Sequence, residues 1–165
     1  MRLALASAVL LLGAAQPALA APAVSEVKVS IGPKLAEKVD DLGQREFDIL
    51  SSQLQRSVER RLPPRPGGGT LELVIEDAKP NHPTPQQLGK TPGLSIQSFG
   101  VGGAQISGRY VDAAGRSTPI AYAWWESDIR WARYGSTWHD AEDAFDRLAD
   151  RLAKDQFSDG SKPRR

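Results

Sequence analysis

The sequence predicts an α+β two-layer sandwich, with a mixed or mainly antiparallel sheet of four to five strands and two helices on one face. Three observations predict it. Several short stretches alternate apolar and polar residues with a period of two. Two longer stretches carry apolar residues at three- and four-residue steps. Those helical stretches bracket a run of strands separated by turn residues, the layout of helices laid on an antiparallel meander.

Residues 24–31, VSEVKVSI, set Ser25, Val27, Val29 and Ile31 against Val24, Glu26, Lys28 and Ser30, a first strand with one apolar face. Residues 33–41 suit either a short helical turn or a loop. From Gly43 to Leu62, the residues Phe47, Leu50, Leu54, Val58 and Leu62 share one helical side, and Pro63-Pro64 ends that helix. Residues 70–75 form a strand with Leu71, Leu73 and Ile75 on one face. A parallel pairing of the first two strands, through a right-handed crossover, would make the sheet mixed. Residues 77–92, DAKPNHPTPQQLGKTP, hold four prolines and no periodicity, which predicts a long exposed loop. Residues 94–99 read as a further strand, Gly100, Gly102 and Gly103 as a bend or bulge, and 104–111 as the next strand. Asp112-Ala113-Ala114-Gly115 supplies a hairpin turn.

Residues 119–132 split by parity. Ala121, Ala123, Trp125, Ser127, Ile129 and Trp131 make a nearly apolar face, expected on the core. Tyr122, Trp124, Glu126, Asp128 and Arg130 make the other, expected to be partly wet. The stretch is long for a strand, so a break near Glu126 and Ser127 is expected. Thr137 with Asp140 approximates a capping box for the closing helix. Trp138, Ala141, Phe145, Leu148 and Leu152 give that helix a single apolar stripe.

Residues 1–20 read as a secretory signal peptide: Arg2, an apolar run, and Ala18-Leu19-Ala20 as the cleavage signal before Ala21. Residues 21–160 are expected to form one α+β domain, and 161–165 a basic tail. Removal of the first 20 of the 165 residues leaves 145, with 20 basic and 20 acidic side chains. A formal charge of zero argues against an electrostatic nucleic-acid binder. No later stretch approaches a membrane span, so no transmembrane segment is expected after signal removal. There is no cysteine, hence no disulfide framework and no lipid-attachment thiol. The expected location is periplasmic or secreted.

The candidate chemistry is sparse. Gly100-Val101-Gly102-Gly103 leads into a strand rather than a helix, which fits a bulge and not a phosphate loop. His139 and Asp140 are candidates for an acid–base or metal-dependent hydrolase, with His82 joining them only through the fold. Against this, adjacent helical residues do not share a face and no histidine stands four positions on. Glu126 and Asp128 suit edge charges better than a catalytic pair. No nucleophile motif occurs, and no cofactor is implied. Tyr122 and Trp124 offer a stacking platform for a glycan if their face is open. Asn81, His82, Gln86 and Gln87 are the polar side chains that the proline-rich loop would bring to a binding surface.

The segment GGAQISGRYVDAAGR and the closing TWHDAEDAFDRLADRLA helix resemble uncharacterised small periplasmic α+β protein families. They are also similar to accessory domains of bacterial envelope lipoproteins. The resemblance implies compartment and layout and carries over no catalytic residue. The expected role is a non-catalytic binding or accessory domain whose partner is an envelope protein or a glycan.

Overall fold

The computed structural model describes residues 21–132 and 135–157, apart from the side chain of Trp131. The leader expected over 1–20, Arg133, Tyr134 and the basic tail lie outside these residues. Four strands form one sheet in the order β1-β2-β3-β4. They are β1 (Val24–Ile31), β2 (Gly69–Lys79), β3 (Gly103–Val111) and β4 (Ser117–Trp125). β1 runs parallel to β2, while β2–β3 and β3–β4 are antiparallel, so the sheet is mixed. The crossover between β1 and β2 carries α1 (Pro33–Ala36), α2 (Val39–Leu42) and α3 (Gln44–Arg61). The remaining helices are α4 (Pro85–Lys90), α5 (Ile129–Ala132) and α6 (His139–Leu152).

The core forms because the apolar stripes of α3 and α6 meet one face of the sheet. Phe47, Leu50, Leu54 and Val58 come from α3, and Ala141, Ala144, Phe145, Leu148 and Leu152 from α6. Opposite them lie Leu71, Leu73 and Ile75 of β2, Ala104 and Ile106 of β3, and Ile120 and Tyr122 of β4. A register shift between Val24 and Glu26 turns Val24 to the same side as Val27 and buries it.

The other sheet face carries exposed ion pairs. Glu72 of β2 stands across from Arg109 of β3, whose Nη2 lies 2.6 Å from its carboxylate, and Lys28 pairs with Glu26 at 3.1 Å. Such exposed pairs contribute little to stability.

Four expectations are corrected. Residues 94–99 hold a turn at Ile96 and Gln97 and otherwise no regular structure, not a strand. The loop expected over 77–92 begins as strand up to Lys79 and contains α4, whose start is fixed by a Thr84/Gln87 capping box. On β4 the two faces are exchanged. Ile120, Tyr122 and Trp124 pair with Gly108, Ile106 and Ala104 on the helix side, while Ala121, Ala123 and Trp125 face outward. Parity reveals two faces but not which one the helices cover, and only the register with β3 decides that. Trp125, expected in the core, is 41% exposed and lies over Gly103, where a Cβ would meet its ring at 2.8 Å. Last, α6 starts at His139 without a side-chain cap, because Asp140 is used elsewhere. The break expected at Glu126 is present: its Oε1 accepts the amides of Ser127 and Asp128 at 2.6 and 2.8 Å, ending the strand.

Candidate functional site

β2 ends at Lys79, and the chain then has to return to start β3 at Gly103. The return path is built on Asn81. Its backbone N–H donates to the Thr137 carbonyl at 2.7 Å, and its carbonyl accepts from Gly100 N at 2.8 Å. Its side-chain Nδ2 donates to Asp140 Oδ2 at 2.6 Å and to the Gly100 carbonyl at 3.1 Å. In exchange, the Asp140 amide donates to Asn81 Oδ1 at 2.8 Å. Asp140 Oδ2 also accepts Gly102 N at 2.7 Å. One buried junction thus ties both ends of the loop to the first turn of α6, where a carboxylate is favoured by the helix dipole.

Between this loop and the α1–α2 crossover lies a cleft of about 380 Å³. Its walls include Leu42, Ala78, Lys79, His82, Leu94 and Phe99. Lys38 and Asp41 border it from the crossover, and Asn81 and Gln87 from the loop. The volume is in the range of small-molecule pockets. Beside it, Asp77 is held between Lys34, at 2.7 Å, and Lys38. Burial pushes the Asp77 carboxyl up, but the two ammonium groups outweigh it and hold it below the ordinary carboxylate range.

The expected binding residues divide. Asn81, His82 and Gln87 come together at the cleft. Gln86 stands beside them and donates to the Asp40 carbonyl at 3.3 Å. Most of their polar atoms are already committed. Gln87 Oε1 accepts the Thr84 amide at 3.1 Å, and Nε2 donates to Asp41 at 2.9 Å. His82 Nδ1 lies 3.1 Å from the Ser98 carbonyl, which can only accept, so this nitrogen carries the hydrogen. Its Nε2 is shut off from solvent and has no partner among the described residues.

Tyr122 and Trp124 line no part of the cleft and do not form an open platform. Tyr122 is 8% exposed on the core side, with the Arg151 guanidinium 5.8 Å from its ring centre. Trp124 is half-buried, with the Arg147 guanidinium 4.5 Å over its ring. His139 packs against Gly135, and the Asp140 carboxylate is buried and spent on two N–H donors. Among the described residues no group of three or more histidines, cysteines or acids is placed to hold a metal ion.

Sequence reasoning misses Lys38, Leu42 and Phe99 as cleft residues. No spacing signals them, since the crossover that carries Lys38 and Leu42 and the loop that carries Phe99 meet only in the fold. Compared with protein-family models the chain finds no match, and a search of curated proteins finds none either.

Proposed function

We propose that this chain is an exported, non-catalytic binding or accessory domain of the cell envelope, and that the cleft beneath the Asn81 loop is its binding site. The observation that carries the reading is the cleft itself. It has ligand-pocket size and an apolar lining from Leu42, Ala78, Leu94 and Phe99, while the side chains of Asn81 and Gln87 are engaged in holding the loop. A surface that presents shape and apolar contact, with Asp41 engaged by Gln87 and Asp77 by Lys34 and Lys38, suits recognition better than proton transfer. Export rests on the apolar leader over 1–20 and its Ala18-Leu19-Ala20 end. The partner is an envelope protein or glycan whose apolar group enters between Leu94 and Phe99.

A photoreactive side chain placed at Lys79, on the cleft wall, and one at Gln55, on the outer face of α3, test this in envelope-bearing cells. A defined envelope component captured from Lys79 and not from Gln55 supports the reading. Equal or absent capture overturns it. The same material reports export: the purified protein should begin at Ala21 and partition with the envelope fraction. The competing hydrolase reading predicts that alanine at His82 and His139 abolishes a hydrolytic activity. The binding reading predicts that His139→Ala leaves capture intact.

A further inference from the structure

The loop over 91–100, TPGLSIQSFG, closes one wall of the cleft with Leu94, Ser98 and Phe99. Its ends are fastened: Thr91 N donates to the Gln87 carbonyl at 2.9 Å, and Gly100 N to the Asn81 carbonyl at 2.8 Å. Between them the wall is weakly tied. Leu94 N donates to the Thr91 carbonyl, Ser98 N to the Ser95 carbonyl, Ser95 N to Ser98 Oγ and Gln97 N to Ser95 Oγ, all inside the loop. Among the described residues, the one hydrogen bond between residues 92–99 and the rest of the chain joins His82 Nδ1 to the Ser98 carbonyl at 3.1 Å. The imidazole is also tilted toward Phe99, with ring centres 6.4 Å apart.

This tie suits a neutral imidazole. With the hydrogen on Nδ1, the Nε2 lone pair sits where solvent does not reach and where no partner stands among the described residues. A neutral ring tolerates this, since an unused acceptor costs less than an unused charged donor. Protonation places a second N–H and a full positive charge at that position. The charge then lacks both water and an acceptor, and only movement of the ring toward solvent relieves it. That movement breaks the bond to Ser98.

The surroundings do not rescue an imidazolium. The charged groups lining the cleft with His82 are Lys38 and Asp41 from the crossover and Lys79 from β2. Asp41 accepts from Gln87, and none of the three is bonded to Nε2. Asp77 is spanned by Lys34 and Lys38, and Asp140 of α6 accepts from Asn81 and Gly102. Lys90 of α4 donates to the Asp40 carbonyl, and the 91–100 loop itself holds no charge. A new cation in the cleft thus meets two ammonium groups and one carboxylate that is already engaged.

We infer that His82 is a pH-sensitive latch: neutral, it holds the 91–100 loop over the cleft, and protonated, it lets the loop go. The latch rests on the cleft reading for its use, since it regulates access to that site, but its movement is read without any ligand. The closed form is present while the imidazole is neutral and is lost as pH falls through the range in which histidines take up charge, about pH 8 to 5.

The test is proton–nitrogen NMR of the isotope-labelled protein, titrated from about pH 8 to about pH 5, following the His82 ring and the amides of residues 94–99. The amides are expected to move with the same midpoint as the ring, and the through-space contact between the His82 and Phe99 rings to be lost at the acid end. In His82→Gln, which takes up no proton in this range, the same amides should remain unmoved while His139 behaves as in the parent. The latch is overturned if His82 stays neutral throughout, if it titrates with the loop amides stationary, or if their movement survives in His82→Gln. Should that variant not fold, the two midpoints in the parent decide alone. Capture from Lys79 at neutral pH with a stationary loop would sink the latch and spare the cleft. A moving loop without capture would do the reverse.

Discussion

At the scale of single residues, Asp77 shows how position overrides composition. Nothing in the loop sequence sets this aspartate apart from its neighbours. A register shift in β2 between Ile75 and Asp77 turns both Asp77 and Ala78 inward, and the α1–α2 crossover brings Lys34 and Lys38 over the carboxylate. Its carboxyl is held below its ordinary value of 3.8, so the folded state binds this proton less readily than the unfolded chain. The stabilisation is therefore complete above that value and is lost as pH falls through the depressed one. Asp77→Asn should lower the thermal midpoint near neutral pH. The gap between parent and variant should then close as both are titrated below about pH 4. A gap that stays constant down to acid pH would exclude the two-lysine account. The lysines that cause the effect lie some forty positions upstream, so sequence spacing could not have paired them.

At the scale of elements, the junction of Asn81 with the start of α6 sets the whole loop. Asp140 was legible as an acid favourable to a helix start, and as one member of a catalytic candidate. Its buried position gives it a different task, accepting from Asn81 Nδ2 and Gly102 N. Asp140→Ala leaves these donors without their acceptor inside the protein, and should cost about 3 kcal/mol. Asp140→Asn keeps one acceptor oxygen and should cost less. Urea unfolding of the two variants checks both values, and a catalytic role alone would leave stability unchanged. The salt bridges between α3 and α6, Arg60–Asp146 and Arg61–Asp150, are exposed and should matter far less than this junction. The helices themselves were readable because their apolar stripes have the period of the helix. The 94–99 segment was misread as a strand because short alternating runs lack any signal of whether a neighbouring strand has a free edge.

At the scale of the molecule, one sheet has one covered face, and this determines where the tryptophans go. Trp138 is buried, with its Nε1–H donated to Glu46 at 2.7 Å, whereas Trp125 stands on the uncovered face. Acrylamide quenching of tryptophan emission should therefore lose a readily quenched component in Trp125→Phe, and not in Trp124→Phe. Trp138→Phe should remove blue-shifted, protected emission. A quenched component that tracks Trp124 would mean that Arg147 leaves the ring in solution. The cleft belongs to this scale too: it arises where β2 has to turn back to β3, at the end of the sheet beside the α1–α2 crossover. Among the described residues no helix is long and apolar enough to cross a membrane.

The sequence by itself determined the α+β class, the two long helices and the hairpin at Asp112, and left a mixed sheet as one of two possibilities. Each of these follows from local period or from turn chemistry, which act over a few residues. It also grouped Asn81, His82 and Gln87 on one loop, and these three side chains do meet at the cleft. Only the tertiary structure decided which face of β4 is covered, that Asp140 fastens the loop, and that Leu42 and Lys38 meet Phe99 across a cleft. Those outcomes depend on strand register and on contacts between segments far apart in the chain. A one-residue slip would exchange Trp124 for Trp125 without changing a single local preference.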